Sequence, residues 1–161
     1  VDLDYKKALE WYEKAAEQGL AHAQFNVGAM YELGQGVDVN YKKAMEWFEK
    51  AAEQGHADAQ YNLGCVYNHG HGVDVNYKKA IEWWEKAAEQ GHAHAQFNLG
   101  CMYNNGVGVD QSDSMAMRWY AKADAQGEEQ AQVAIRKLVS KRRGSPAATS
   151  SSSGAKKREG K

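Results

Sequence analysis

Apolar and polar residues alternate along the chain with the period of an α-helix. In residues 57–91, apolar side chains recur at offsets of three, four and seven, first up to about Asn68 and then from Asn76 to Gln90. This spacing places them on one stripe of each segment, which is typical of an amphipathic helix packed on a core. The stretch is therefore predicted to form two helices, joined by a turn at the paired glycines Gly70 and Gly72.

The same stretch recurs along the chain. Tryptophans fall 36 residues apart, at Trp11, Trp47, Trp83 and Trp119, and so do glycines, at Gly19, Gly55, Gly91 and Gly127. A fixed period of this length is typical of a stacked repeat array. Each second helix should begin at a capping side chain, at Asp4, Asn40, Asn76 and Ser112. The glycines stand just past its end, where a left-handed residue commonly closes a helix.

A further glycine lies within the first helix of each pair. Gly64, like Gly28 and Gly100, occupies a mid-helix position, where glycine costs about 1 kcal/mol relative to alanine. We expect a neighbouring helix to approach closely at this point.

These fixed positions carry a resemblance to a known repeat. The order Ala-x3-Leu-Gly-x2-Tyr-x2-Gly-x-Gly-Val, followed by Lys-Ala-x2-Trp and Ala-Ala-Glu-Gln-Gly, resembles the Sel-one-like repeat (SLR), a longer relative of the tetratricopeptide repeat. The similarity extends from about Leu3 to Val139. It implies an all-α fold, an α/α right-handed superhelical solenoid of 36-residue helix-turn-helix repeats. It also implies a non-enzymatic scaffold or adaptor that holds proteins together.

The array is predicted to occupy residues 1–141. It comprises an opening half-repeat, three full repeats and a C-terminal capping helix from Glu128 to about Lys141. In that last helix Arg136 and Lys137 replace small residues of the repeat, as expected where no further repeat packs. Because the chain begins in the middle of a repeat, we expect it to be a fragment of a longer array.

Charge is divided unevenly between the array and its C-terminal end. Residues 140–161 contain seven basic residues and one acidic residue, which leaves 13 basic and 20 acidic residues in 1–139. Residues 142–161 are rich in serine and have no apolar period, so a disordered basic tail is predicted. Lys141-Arg142-Arg143 and Lys156-Lys157-Arg158 resemble a bipartite nuclear import signal. Since basic clusters are common in solvated tails, an ordinary solvated tail is the favoured interpretation, and an import signal or weak contact with nucleic acid are the alternatives.

Cys65 and Cys101 occupy the same position in successive repeats. Equivalent Cα atoms of stacked repeats should lie about 8–10 Å apart, beyond the reach of a disulfide. SLR proteins of the secreted bacterial type carry cysteine pairs that bridge the two helices of each repeat, and this chain departs from that pattern. The departure favours a reducing, intracellular compartment, cytoplasmic or, with the import signal, nuclear.

Histidines and cysteines also raise the question of a metal site. Cys65, His69 and His71 form a C-x3-H-x-H pattern, and His92 and His94 form H-x-H. Zinc needs about four converging ligands, whereas these side chains lie on a helix, a turn and a different repeat. Ordinary surface histidines are the favoured interpretation, and neither a metal nor a cofactor is predicted.

Neither catalysis nor membrane insertion is indicated. Residue patterns typical of nucleophilic or acid–base catalysis are missing, and no run is long and apolar enough to span a bilayer.

A partner is expected on the concave side of the solenoid. By analogy with tetratricopeptide arrays, the first helices should line that side. They offer identical amides at Asn26, Asn62 and Asn98, aromatic rings at Phe25, Tyr61 and Phe97, and further polar side chains at Asp58, Asn68, His69 and Asn104. A row of amides could hydrogen-bond an extended peptide. In the alternative interpretation the amides bridge neighbouring helices and the rings belong to the core.

The favoured function is a protein–protein interaction module that binds a peptide or a partner protein. Two other functions stay open. One is a hydrolase, or a binder of small molecules or metals, as proposed for secreted SLR proteins. The other is a structural fragment that self-associates through its N-terminal end, because the opening helix, residues 3–18, has no preceding helix to cover its apolar surface.

Overall fold

The computed structural model describes residues 4–144, which form eight α-helices and their connecting turns, without a strand. The helices are α1 (Tyr5–Glu17), α2 (Ala21–Leu33), α3 (Tyr41–Glu53), α4 (Ala57–His69), α5 (Tyr77–Glu89), α6 (Ala93–Asn105), α7 (Asp113–Asp124) and α8 (Glu129–Gly144). Each helix packs mainly against its neighbours along the chain, as in a solenoid. The predicted all-α solenoid is confirmed.

The second helices of the pairs begin and end where the sequence predicts. Asp4 accepts a hydrogen bond from the backbone N–H of Lys7 at 3.1 Å, and the other predicted caps, Asn40, Asn76 and Ser112, accept the equivalent bonds. Gly19, Gly55, Gly91 and Gly127 follow the helix ends with φ between 86° and 91°. Only glycine adopts this conformation without strain, so both predictions about the helix ends are confirmed.

Equivalent side chains from each repeat build the core. Val27, Leu63 and Leu99 of the first helices are fully buried, and Phe48, Trp84 and Tyr120 of the second helices are at most 3% exposed. Full burial of an apolar side chain of this size contributes about 1.5–3 kcal/mol. The array is therefore held together by the same packing contacts, repeated every 36 residues.

The mid-helix glycines allow an aromatic ring to lie against the first helix. A Cβ atom added to Gly64 would overlap the indole of Trp84, and one added to Gly28 would lie 2.7 Å from the ring of Phe48. The expected close approach is present, and the aromatic ring of the following second helix occupies the space.

The last helix is longer than predicted. α8 continues past Lys141 to Gly144, and the side chains of Lys141 and Arg142 lie 3.8 and 4.0 Å from the carboxylate of Asp113. The rest of the predicted tail, with the second basic cluster, lies outside the described residues. In the part of the chain that the structure describes, no helix has the length and apolar character needed to cross a lipid bilayer.

Candidate partner-binding face

The predicted binding residues all lie on the first helices of the pairs. We call the accessible side chains of α2, α4, α6 and α8 the first-helix face. Two of the predicted residues are exposed, Asp58 and His69, and eight are half-buried, Asn26, Asn62, Asn98, Phe25, Tyr61, Phe97, Asn68 and Asn104. The contact of these residues with a partner stays a prediction.

One asparagine of the row lies beside a tyrosine of the neighbouring first helix. The Tyr61 hydroxyl of α4 lies near the Cys65 thiol and near the Asn98 amide of α6. Burial, with the adjacent Cys65, raises the pKa of Tyr61 to about 12, so the hydroxyl stays protonated at neutral pH. Whether the asparagines bridge neighbouring helices or contact a partner stays a prediction. The equivalent contact between α2 and α4 lacks this hydroxyl. Phe25 takes the position of Tyr61 there, so it has no hydroxyl to place near Asn62.

The predicted aromatic row is largely covered by histidines of the next repeat. The ring of Phe25 stacks on His56 with centroids 4.8 Å apart, and that of Tyr61 stacks on His92 at 4.5 Å. Phe97 has no such cover, because Glu128 stands where a histidine would be. All three rings also pack against the core, so the part of the row that stays open is Phe97.

His56 and His92 are helix caps, a role that the sequence interpretation missed. Their Nδ1 atoms accept hydrogen bonds from the backbone N–H groups of Ala59 and Ala95, at 3.4 and 3.2 Å. Burial lowers the pKa of both imidazoles, although the nearby Asp58 opposes the shift. The sequence signal for this capping role was the position of each histidine directly before a first helix.

Buried glutamines form a second set of contacts that sequence reasoning missed. The Gln60 amide donates to the backbone oxygen of Ala52 at 3.1 Å and accepts from the Gln90 amide at 2.7 Å. Gln24 with Gln54, and Gln96 with Gln126, repeat the arrangement. Each amide thereby joins the C-terminal ends of two successive second helices. A glutamine at the same position of three first helices, within the apolar stripe, was the signal.

Both cysteines are free thiols and are half-buried. Burial raises the pKa of Cys65 and of Cys101, so both free thiols are protonated at neutral pH. His69 places Nδ1 at 2.9 Å from the backbone oxygen of Cys65 and stacks on His71. Among residues 4–144, no three histidine, cysteine or acidic side chains are grouped as metal ligands.

Two clefts open on the first-helix face. The central cleft, of about 190 Å³, lies between α4 and α6, and its lining includes Asn68, His69 and Asn98 above Trp84. The terminal cleft, of about 720 Å³, lies between α6 and α8 and includes Phe97 and Asn104. The structure thus brings half of the predicted residues into open clefts. The other half, Asn26, Asn62, Phe25, Tyr61 and Asp58, lies outside these two clefts.

Comparison with known proteins accounts for the repeated geometry. Residues 1–20, 21–56, 57–92 and 93–128 each match the family described as the Sel1 repeat. The chain belongs to the Sel1 repeat family. Members of this family are generally protein–protein interaction modules and typically non-enzymatic scaffolds. A comparison with curated proteins finds no match.

Solved structures of other Sel1 repeat proteins superpose on this one. A protective antigen present in uropathogenic Escherichia coli strains, with an SLR fold, is 42% identical over 84% of this chain, with a TM-score of 0.82. A Sel1 repeat protein from Oxalobacter formigenes is 38% identical over 88%, with a TM-score of 0.81. This chain spans 29% and 58% of their respective lengths.

A cysteine-rich protein also has a similar structure. Cysteine rich protein B of Helicobacter pylori is 26% identical over 80% of this chain, which spans 92% of its length, with a TM-score of 0.63.

Proposed function

We propose that the first-helix face of this Sel1 array binds a segment of a partner protein. The observation that carries the proposal is the succession of two clefts along that face, one in each gap between α4, α6 and α8. Because the two clefts are neighbours on one side of a solenoid, a single extended segment can bind along both of them.

The central cleft has the chemistry to hold a peptide backbone. Asn68 and Asn98 supply amide donors and acceptors at its rim, and the exposed imidazole of His69 adds another polar group. The indole of Trp84 forms part of the floor, where its N–H donates to the backbone oxygen of Tyr61 at 3.1 Å. Such a combination of an apolar floor and a few polar rim groups is common in binding sites.

The test is a pull-down with the full chain as bait. A double variant, Asn68→Ala with His69→Ala, removes polar groups of the central cleft without touching the core. Its matched control is Glu82→Ala with Glu89→Ala, two exposed residues of α5, a second helix. We expect captured proteins to be lost with the first variant and retained with the second, both folded by circular dichroism. Equal capture by wild type and both variants would mean that the captured proteins do not bind the first-helix face.

A second candidate is self-association through α1. Trp11 is 71% exposed, whereas the equivalent residues Trp47, Trp83 and Trp119 are half-buried. Tyr5 and Tyr12 of the same helix are also exposed, which makes α1 the most aromatic accessible surface of the described chain. Sedimentation velocity over a range of concentrations tests it. A shift to larger species that Trp11→Lys abolishes supports self-association, and a constant monomer rules it out.

We also propose that the chain binds its partner without catalysing a reaction. The protonated thiols support it, since nucleophilic catalysis by a cysteine needs a thiolate or a paired base. Turnover of any member of a panel of ester substrates by the purified chain, lost with Cys65→Ala, would overturn this part.

A further inference from the structure

The terminal cleft differs from the rest of the first-helix face in its size. The gap between α6 and α8 holds about 720 Å³ of open space, against about 190 Å³ between α4 and α6. A volume in this range is typical of sites that enclose a ligand group.

The sequence of α8 explains why the cleft is open. Val133 stands 36 residues after Phe97, where α4 and α6 have aromatic rings, and Ala134 stands 36 residues after Asn98, where they have asparagine. Both side chains are smaller than the ones they replace. Both small side chains line the terminal cleft, and Val133 is 49% exposed.

The walls of the terminal cleft combine apolar surface with positive charge. Phe97, Tyr120, Val133 and Leu138 supply the apolar surface. Lys137 and Lys141 supply two cations, and the lining contains no carboxylate. Asp113 lies 3.8 Å from the Lys141 ammonium group and partly neutralises it. Lys137 forms no ion pair with any described residue, so its charge is available to a ligand.

We propose that the terminal cleft is the anchor site for an acidic segment of the partner protein. The segment inserts one large apolar side chain between Phe97 and Leu138, and its neighbouring carboxylates face Lys137 and Lys141. This inference rests on the proposed function and names the partner chemistry at one end of the same face. Apolar contact supplies affinity, and complementary charge selects acidic partners over others.

Charge argues against the chain's own C-terminal residues as the occupant. Residues 145–161 contain four basic residues, Lys156, Lys157, Arg158 and Lys161, and a single acidic one, Glu159. The lysines of the cleft would repel such a segment, whereas they attract a segment rich in aspartate and glutamate.

The experiment is selection of short peptides from a display library on the full chain, followed by fluorescence anisotropy with the enriched peptides. We expect enriched sequences to combine a large apolar residue with adjacent aspartate or glutamate. Lys137→Glu should weaken their binding about tenfold, because it places like charge against the ligand. Val133→Ser, at a half-exposed position, should weaken it about fivefold by removing apolar contact.

Arg136→Glu is the matched control for Lys137→Glu. Arg136 carries the same charge on the adjacent position of α8, is exposed, and points its guanidinium to Gln132 outside the cleft lining. At about 0.15 M salt, charges more than about 8 Å from the ligand are largely screened, so affinity should fall by no more than about twofold.

The other outcomes overturn the inference and separate it from the proposed function. Peptides that bind Lys137→Glu as tightly as wild type, but are lost with Asn68→Ala plus His69→Ala, would leave the first-helix face as a binding site without this anchor. Equal losses of peptide affinity with Lys137→Glu and Arg136→Glu would mean that the net charge of the chain, and not a contact in the terminal cleft, determines the binding. Enrichment of basic peptides, or association of the chain with itself that Lys137→Glu abolishes, would assign the cleft to a different occupant. No enrichment, or binding indifferent to every variant, would overturn both proposals.

Discussion

Two gaps on the same face, one between α4 and α6 and one between α6 and α8, have opposite character. At the first, the Tyr61 hydroxyl lies near Asn98 across the gap, and the His92 ring stacks on Tyr61. At the second, Phe97 and Ala134 line the cleft, and Glu128 takes the position of the stacking histidine. The helix that keeps the repeat leaves a narrow cleft of about 190 Å³, and the helix that departs from the repeat leaves a wide one of about 720 Å³.

The comparison separates residues that build the array from residues that are free to bind. Gln60, Gly64 and Trp84 recur in equivalent form through the repeats because the packing between helices requires them. In α8 the equivalents of Gln60 and Gly64 are Gln132 and Arg136, both exposed. Binding surface is therefore expected where packing demands are relaxed, and the substitutions below test that separation.

The largest effect is expected from Trp84→Ala. The indole is 2% exposed and fills the space beside Gly64, so its removal should lower the free energy of unfolding by about 3–5 kcal/mol. The matched control, Trp11→Ala, removes a largely exposed ring and should cost within about 0.5 kcal/mol. Urea denaturation measures both. Equal losses would mean that the core is not built as described.

Gln60→Ala should have the next largest effect. It leaves the Ala52 carbonyl and the Gln90 amide without their buried partner, which should cost about 2–3 kcal/mol. Gln132→Ala, the same change at the equivalent exposed position of α8, should cost within about 0.5 kcal/mol. Similar values from urea denaturation of the two variants would contradict the difference between the narrow gap at α6 and the wide gap at α8.

Gly64→Ala should destabilise the folded chain, although alanine favours the helical conformation more than glycine does. The added methyl overlaps the Trp84 ring, at a cost of about 1–3 kcal/mol, of which the gain in helix propensity offsets about 1 kcal/mol. At the equivalent position of α8, Arg136→Ala should be nearly neutral. A thermal melt that shows Gly64→Ala more stable than wild type would refute the close approach of ring and helix.

The smallest expected effect is the dependence of the stability of the folded chain on pH. Burial lowers the pKa of His56 in the folded chain below its ordinary value of 6.5, so the unfolded chain binds more protons in weak acid. Stability should be fully present above about pH 6.5 and fall as pH decreases through the ordinary value toward the folded one. His56→Asn keeps a capping oxygen and removes the titration, so its stability should vary less with pH. Chemical denaturation at several pH values measures this, and parallel curves for both chains would contradict it.

Much of the fold could be predicted from the sequence because it depends on local signals repeated every 36 residues. Apolar spacing indicated the helices, Asn76 and its equivalents their beginnings, and Gly91 and its equivalents their ends. The role of Gly64 followed from its cost in a helix. These signals act within a few residues, so they can be interpreted without the three-dimensional contacts.

The candidate site could be predicted less well, because it depends on contacts between repeats. The stacking of His56 on Phe25 joins residues 31 positions apart, and the Gln54 to Gln24 hydrogen bond joins residues 30 apart. The terminal cleft arises from what α8 lacks at Val133 and Ala134. The charged positions of that helix suggested a polar cap, and the space left by its small side chains became apparent only once α6 and α8 were placed together.

Site-specific photo-crosslinking tests the central claim, that the first-helix face binds a partner, most directly. A photoreactive amino acid replaces Asn68 at the central cleft in one chain and the exposed Glu82 of α5 in another, and both chains are irradiated in the same cell lysate. Binding at the first-helix face should give covalent adducts of defined mass from position 68 and none above background from position 82. Adducts from position 82 alone would place the partner on the opposite helices and contradict it.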